Sequence, residues 1–578
     1  MVSMNYLDQY NYWLNNPNLS KEGYDELSSI KDPKDLEYRF GAELKFGTAG
    51  MRGLIGMGTN MMNVYTVKRA TFGLGQYILS LDESQICGGV VISYDTRRKS
   101  TEFALAAAGV LKRMGIKVAL YAKPRPVPML SYAVRALNCV AGIMITASHN
   151  PKEYNGYKVY GGDGAQMSPE ATKTVVSYIS ETKDYFSVLG NIYTSVCDAE
   201  KDGVFVLRED FEQSYYAALS VLTLSKTAVE NEGKNIKLVY TPVHGSGYEP
   251  VITILKRIGI NATVVPEQVN PDTEFSTVEV PNPEYKETLS MGIALANKIN
   301  ADVVFGTDPD CDRLGVALRN DEGEFEALSG NQVGILLLNY ILLRLKETGK
   351  IKDDSFAVKS FVSTGLAKAI TDDFGVALME VPVGFKFIGE KIKNAEITGH
   401  GDFVFGFEES CGYLRGTHAR DKDAVVASML FAELVCYYKS INVSVFKVLN
   451  DIYAKYGYCL DKTISIGFKG LNAMDEMNAA VLKMSTRKID SVGGIGIAAV
   501  RNYETGERIL PDGAVEKIEF SGLNCLYYEL VGGGFICLRP SGTEPKLKIY
   551  YSVCAQNRDE AQIKFDKASS SFEKLLYN

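Results

Sequence analysis

Three segments of this chain share one layout, and that layout restricts the fold more than any other feature. Ala141-Gly-Ile-Met-Ile-Thr-Ala-Ser148, Ala301-Asp-Val-Val-Phe-Gly-Thr-Asp308 and Gly401-Asp-Phe-Val-Phe-Gly-Phe-Glu408 each place a polar residue seven positions after the start of a mainly apolar run. Short apolar runs bounded by turn residues read as buried strands. Three such strands, each opening into a polar loop, predict related α/β units aimed at one cleft, because sites of open sheets form at strand C-termini.

The surrounding pattern agrees. Gly89–Tyr94, Thr101–Met114 and Ile116–Tyr121 alternate as strand, helix and strand, the signature of a parallel sheet. A second unit runs from Lys237–Tyr240 through helix Tyr248–Ile258 and strand Asn261–Pro266 to helix Glu284–Lys298. A third begins with helix Gln332–Glu347, continues through strand Ala357–Val362 and closes with helix Asp421–Lys439. After about residue 456 the pattern changes to strands with two helices, Met474–Met484 and Asp559–Leu576. The expected fold is α/β: three similar units with mixed or parallel sheets around a central cleft, plus a C-terminal α+β domain. The expected boundaries are 1–205, 206–325, 326–455 and 456–578. Residues 1–40 read as a polar helical arm pinned to the first unit by Trp13, the single tryptophan.

Composition removes other classes. At 578 residues the chain has length for several cores. A net charge of −8 argues against a general nucleic-acid binder, which needs a basic face. The longest apolar candidate, Val333–Leu345, is broken by Asn339 and Arg344, so no membrane span is expected, and no secretory signal is read at the start. Ten scattered cysteines without a C-x-x-C pair read as reduced thiols of a cytoplasmic protein.

The chemistry sits in the loops. Ser148 and His149 follow the first strand, with Lys158 returned by turns at Pro151 and Asn155-Gly156. A serine beside a histidine and a lysine suits covalent catalysis, since serine alone is a weak nucleophile; the competing reading is a polar turn after a core strand. The second loop, Asp308-Pro-Asp310-Cys-Asp312-Arg313, sets three carboxylates at alternate positions. Like charges this close raise each other's pKa, so a cation between them is expected, and oxygen-only ligation suits Mg²⁺ or Ca²⁺. An EF-hand is excluded, because its sixth position would be Arg313 rather than Gly and its twelfth Arg319 rather than Glu. A fourth loop, Arg539-Pro-Ser541-Gly542-Thr543-Glu544-Pro545, offers a guanidinium fork and neutral donors to a phosphate; the competing reading is an ordinary hairpin turn. Of four histidines only His149 is assigned a chemical role, and His244 is expected to support its own loop.

Together these loops resemble the α-D-phosphohexomutase superfamily over nearly the whole chain. Phe46-Gly-Thr-Ala-Gly-Met-Arg52-Gly53, Thr241-Pro-Val-His244-Gly-Ser-Gly247 and Val383-Gly-Phe-Lys386-Phe-Ile388 add to the likeness. The details look most like the longer branch that holds bacterial α-phosphoglucomutases and phosphopentomutase-like enzymes. The resemblance implies an intramolecular phosphotransferase in which phosphorylated Ser148 passes its group to a sugar hydroxyl and regains the other phosphate from a bisphosphorylated intermediate. It implies Mg²⁺ on Asp308, Asp310, Asp312 and a Ser148 phosphate oxygen, with glucose 1,6-bisphosphate as activator. Arg52 and Arg313 would supply positive charge, and Lys158 or His149 would move the hydroxyl proton, with Lys158 favoured. Glu408 and Ser410 would grip sugar hydroxyls, while Arg539, Ser541, Gly542 and Thr543 would hold the non-reacting phosphate. Lys386, in a Gly-aromatic-Lys loop, resembles glucose-specific members. The expected substrate is therefore a small sugar phosphate, glucose 1-phosphate or glucose 6-phosphate, with no nucleic-acid or membrane partner. Pentose and mannose phosphates are the alternatives within the superfamily, a Mg²⁺-dependent phosphatase is a further one, and a non-catalytic sugar-phosphate sensor is the alternative of another class.

Overall fold

The computed structural model describes residues 5–47, 50–82, 86, 88–468, 473–541 and 546–577, and the chain falls into two compact units. The first unit comprises Met1–Gly330, Phe385–Gly406 and Ser410–Asn442; the second comprises Asn331–Gly384, Phe407–Glu409 and Val443–Asn578.

The first unit holds two sheets of one design. In the six-stranded sheet the order is Gly50–Leu54, Tyr154–Gly161, Ala141–Ile145, Val90–Tyr94, Val118–Tyr121 and Phe205–Leu207. The central Ala141–Ile145 strand runs parallel to Val90–Tyr94, while Tyr154–Gly161 returns antiparallel along its other side. The five-stranded sheet repeats this plan. Val303–Thr307 runs parallel to Leu238–Thr241, and Leu314–Arg319 returns antiparallel beside it. In each sheet a buried central strand, exposed on neither face, is followed by a functional loop and a hairpin partner, as the shared sequence layout predicts.

Two local expectations are corrected here. Asn155-Gly156 does not form a turn; both residues lie inside the Tyr154–Gly161 strand. A Cβ on Gly156 would come within 2.4 Å of the Thr146 carbonyl oxygen, so glycine is needed for close strand approach. The helix expected at Asp421–Lys439 begins later, spanning Ala424–Ser440. Asp423 caps it by accepting the Val425 and Val426 N–H groups, which leaves Asp421 and Lys422 in the preceding loop.

In the second unit, Ser355–Ser360 pairs in parallel with Ala377–Val381. Its C-terminal part is an antiparallel sheet in the order Tyr458–Gly467, Lys546–Ala555, Gly534–Pro540, Leu526–Leu530, Ile495–Asn502, Glu507–Ile509 and Val515–Lys517. Helices Ala473–Thr486 and Arg558–Tyr577 cover it through Met477, Val481, Met484, Phe565 and Phe572, all buried. The expectation of reduced thiols fails here: Cys459 and Cys554 form a disulfide across 95 residues of sequence. They face each other on adjacent antiparallel strands, a register that brings the two sulfurs into bonding range. Among the described residues no single helix is long and apolar enough to cross a membrane.

The N-terminal arm consists of helices Tyr6–Leu14, Lys21–Ser29 and Pro33–Phe40. Trp13 is wholly buried and meets the rings of Phe40, Tyr65, Tyr185 and Phe186. The three helices have only Trp13, Leu27 and Phe40 as buried large side chains, so the aromatic cluster carries most of the arm's attachment. Trp13→Ala is expected to cost about 3–5 kcal/mol and to release the arm before the rest of the chain unfolds. Limited proteolysis read by mass spectrometry checks this; cleavage within residues 5–40 should precede all other cuts.

Candidate active site

The first loop leaves its strand under constraint. Ser148 sits at φ 53°, a left-handed conformation that side chains other than glycine rarely adopt. Its N–H donates to Thr146 Oγ1 at 2.8 Å, which fixes the residue where the strand ends. Its hydroxyl donates to Asp308 Oδ2 at 3.0 Å and lies 3.1 Å from His149 Nδ1. Ser148 is 3% exposed, so these contacts are made largely out of water. Cys311 (φ 48°) and Cys411 (φ 62°) adopt the same conformation in the second and third loops. Such strain persists only where surrounding structure enforces it, and it clusters at functional sites.

The three aspartates come together as expected. Ligand oxygens of Asp308, Asp310 and Asp312 all lie within 4.8 Å of one another, and all three residues are buried. The Asp308 Oδ1 accepts the N–H groups of Asp312 and Arg313 at 3.1 and 3.0 Å, so the loop closes on its own first carboxylate. Burial and the neighbouring Asp310 and Asp312 push the Asp308 carboxyl well above the ordinary range. Burial and Asp310 also raise Asp312, whereas Lys158 holds Asp310 low against its burial. Asp310 Oδ1 and Asp312 Oδ1 are buried with no hydrogen-bond donor among the described residues. Orphaned carboxylate oxygens are costly, and a hard cation with oxygen ligands satisfies them. These residues therefore fit a metal ion.

Positive charge surrounds this cluster. Lys158 faces Met144 across the hairpin and extends its Nζ to Asp310 Oδ2 at 2.8 Å. Lys422 Nζ lies 3.1 Å from Asp312 Oδ2 and 3.1 Å from Asp421 Oδ1. The other Asp421 oxygen accepts from Tyr160 at 2.8 Å, which anchors the lysine's partner to the first sheet. Arg313 forms a close ion pair with Glu284, and its backbone bridges to Gly412 in the third loop. Arg52 donates to Asn150 Oδ1 at 2.9 Å. Burial together with Arg313 and Arg52 pushes the His149 imidazole well below its ordinary value, so it is neutral near pH 7. A neutral imidazole can accept the Ser148 proton or donate to an oxygen.

The structure thus brings Arg52, Ser148, His149, Lys158, Asp308, Asp310, Asp312 and Arg313 into one constellation in the first unit. Lys386 and Ser410 belong to the same unit; Lys386 lies in the first turn of helix Phe385–Thr398, and its ammonium lies 5.0 Å from the Phe387 ring centre. In the second unit Glu408 accepts the Gly384 N–H at 2.7 Å, and Glu409 accepts from Ser360 at 2.8 Å. Arg539 ends the Gly534–Pro540 strand beside Tyr550 and Glu409, and the Ser541 N–H donates to the Lys546 carbonyl at 2.8 Å. Gly542 and Thr543 lie outside the described residues. His244 supports its loop as expected, bonding Asn270 O and Thr277 Oγ1 through its two nitrogens at 2.9 and 2.8 Å.

Sequence reading missed Lys422, Glu284 and Arg97. The Arg97 guanidinium is buried beneath the Ser148 loop, whose carbonyls it bonds. A signal existed for two of them: Asp421-Lys422-Asp423 is a charged triplet before a mainly apolar helix, and Asp95-Thr96-Arg97 follows a buried strand as the other site loops do.

Known proteins match this architecture throughout. Models of phosphoglucomutase/phosphomannomutase alpha/beta/alpha domains I, II and III match residues 43–186, 214–323 and 329–456. The chain is 35% identical to a phosphoglucomutase of Staphylococcus haemolyticus over 91% of its length and 93% of that protein. It is 35% identical to one of Staphylococcus epidermidis, covering 96% of this chain and 99% of the relative. Among solved structures, pp63/parafusin, a phosphoglucomutase from Paramecium in its open form, shares the fold with TM-score 0.63 at 17% identity, covering 93% of this chain and 94% of that one. A phosphoglucomutase/phosphomannomutase family protein from Burkholderia thailandensis gives TM-score 0.61 at 16% identity, covering 92% and 97%. With all three domain models matched and such relatives aligned nearly end to end, this chain belongs to the phosphoglucomutase/phosphomannomutase family of phosphohexomutases.

Proposed function

We propose that this enzyme interconverts α-D-glucose 1-phosphate and glucose 6-phosphate, with Ser148 as the carrier of the transferred phosphoryl group. The observation that carries the reading is the contact of Ser148 Oγ with Asp308 inside the buried carboxylate triad, beside the Lys158–Asp310 pair. A serine so placed can hold a phosphoryl group next to a cation site while a lysine stands close enough to handle a proton.

The residues divide the work as follows. Phosphorylated Ser148 gives its group to the free hydroxyl of the bound sugar phosphate, and the bisphosphorylated sugar then turns and returns its other phosphate to Ser148. Lys158, or the neutral His149, takes the proton of the attacking hydroxyl and gives it back in the reverse step. Asp308, Asp310 and Asp312, with a Ser148 phosphate oxygen, would hold Mg²⁺, which when bound withdraws charge from the phosphoryl oxygens. Arg52 and Arg313 add fixed positive charge, and the remaining task is positioning. Glu408 and Ser410 grip sugar hydroxyls, Lys386 selects the sugar, and Arg539, Ser541, Gly542 and Thr543 hold the phosphate that does not react. Glucose 1,6-bisphosphate primes the cycle by phosphorylating Ser148. The functional segments are 1–205 for the serine loop, 206–325 for the metal loop, 326–455 for the sugar loop and 456–578 for the phosphate loop.

Ser148→Ala is expected to lower kcat at least about a thousandfold and to abolish phosphorylation by glucose 1,6-bisphosphate, read by intact mass as the loss of the phosphoryl adduct. A coupled assay of glucose 6-phosphate formation checks the rate, and normal turnover in the variant would sink the phosphoserine reading. Asp310→Ala should remove Mg²⁺-dependent turnover, and chelation by EDTA should silence the wild-type enzyme until Mg²⁺ is restored. Substrate choice is tested with ribose 1-phosphate beside glucose 1-phosphate. Glucose turnover should dominate kcat/KM; equal or better pentose turnover would reassign the enzyme as a phosphopentomutase.

A further inference from the structure

We infer that Arg97 is a positioning residue for phosphoryl transfer: it fixes the Ser148 loop by gathering the loop's carbonyl oxygens onto one buried guanidinium. The inference rests on Ser148 being the phosphorylated nucleophile.

The Arg97 side chain has no exposed surface. Its Nη2 donates to the carbonyl oxygens of Ser148, at 2.5 Å, and of Asn150. Its Nη1 donates to those of Pro151 and Tyr154 at 2.9 and 3.2 Å. Four carbonyls spanning the whole loop, from the nucleophile to the start of the return strand, therefore converge on one planar fork. The loop has few bonds of its own; its backbone contributes Asn150 N–H to Ala147 and Tyr154 N–H to Pro151. Without the fork, the carbonyl of the buried Ser148 would lose its donor, and the loop would rely on the Thr146 brace at the Ser148 N–H and on these two backbone bonds to keep the left-handed conformation.

Both remaining sides of the guanidinium are also held. Asp95 Oδ2 faces Nε at 3.4 Å, and Asp95 Oδ1 accepts from the Arg97 N–H and the Ser100 hydroxyl at 2.9 and 2.6 Å. The Phe275 ring lies 5.1 Å from the guanidinium carbon, a cation–π contact. Phe275 is itself constrained, at φ 46° and 1% exposed. Its turn is closed by Asp272, which accepts from the Glu274 and Ser276 N–H groups, and by the His244 contacts to Asn270 and Thr277. The loop of the second sheet thereby seats a ring on the arginine that sets the loop of the first. Among the described residues Arg97 bonds the loop's carbonyl oxygens, pairs with Asp95, stacks on Phe275 and adds positive charge felt by Asp310 and Asp308, so its direct bonds reach the reacting group through the Ser148 loop. Lysine cannot replace it, because an ammonium has three donors and no planar face for stacking.

The test uses the full chain with Arg97→Lys and Phe275→Leu, each primed with glucose 1,6-bisphosphate. Intact mass gives the phosphorylated fraction, and kcat is expressed per phosphorylated enzyme alongside KM for glucose 1-phosphate. Displacing a reacting atom by about 1 Å costs about a hundredfold in rate, so Arg97→Lys should lower kcat by about that factor with KM within about twofold. A purely structural role would reduce the folded, phosphorylatable fraction and leave kcat per phosphorylated enzyme unchanged; that result, or wild-type kcat, overturns the inference. If Arg97→Lys does not fold, Phe275→Leu decides, since it keeps the apolar volume and removes the stacked ring. A kcat lowered about five- to tenfold at unchanged KM supports the inference, and an unchanged kcat overturns it. Wild-type enzyme that takes no phosphate on Ser148 would overturn the phosphoserine reading instead, a failure distinguishable from a loop that works without its arginine.

Discussion

Burying three carboxylates within 4.8 Å of one another is the constraint around which the first unit is organised. Each ionised carboxylate taken out of water costs several kcal/mol unless positive charge and hydrogen bonds replace its hydration. The protein meets this with lysines from two distant segments, Lys158 on the return strand of the first sheet and Lys422 just before the Ala424–Ser440 helix. Backbone N–H groups of Asp312 and Arg313 serve Asp308, and the Ser148 hydroxyl serves its other oxygen. One oxygen each on Asp310 and Asp312 has no hydrogen-bond donor among the described residues, which suits a cation. A cluster of this kind is poor material for stability, which is why it marks a site.

Rigid strands make the constellation possible. The Ala141–Ile145 and Val303–Thr307 strands are buried on both faces and end where the reactive loops begin. A strand fixed by parallel pairing on one side and a hairpin on the other leaves its loop little freedom in where it starts. Left-handed residues at Ser148 and Cys311 then turn the chain sharply, at a cost of order 1–3 kcal/mol each. Side-chain and backbone braces offset that cost: Thr146 for the first loop, and Ser246, whose hydroxyl bonds the Pro309 carbonyl at 2.8 Å, for the second. Gly245 lies so close to Pro309 that a Cβ would approach its Cα to 2.6 Å, which ties the glycine-rich turn to the metal loop.

Much of this was legible because the signals are local. The apolar run Ala141–Ile145, followed by the polar loop that holds Ser148, specifies a buried strand and a polar exit wherever the chain goes, and the Asp308 triplet announces its own electrostatic problem. What was not legible depends on neighbours set by topology. Cys459 and Cys554 look like scattered thiols until the sheet places them opposite each other. Lys422 is remote from Asp312 in sequence and reaches it only because Asp423, not Asp421, caps the helix. Asn155-Gly156 carries the residue types of a turn, yet the glycine answers to the Thr146 carbonyl and the Asn155 side chain bonds Arg98 O and Ser100 Oγ. Turn chemistry and close strand packing select the same residue, so a one-dimensional signal cannot separate them.

The charge balance also bears on the proposed phosphoserine and cation, which it would couple in this site. Asp308, Asp310, Asp312, Glu284 and Asp421 face Lys158, Lys422, Arg313 and Arg52, so the unmodified site is close to balanced with a small negative excess. A phosphoryl group on Ser148 adds about −1.5 to −2, beside Asp308 at 3.0 Å, where like charge is strongly penalised. Burial deprives that group of the water that would screen it. A divalent cation supplies a compensating charge of nearly the same size, so the doubly loaded site returns to the balance of the empty one. Phosphate without the cation would leave the buried cluster far from neutral, so a phosphate on Ser148 would favour the cation and, by reciprocity, the cation would favour the phosphate. The carboxylates whose burial is costly in the unmodified protein are the same groups that would couple a phosphate on Ser148 to a metal.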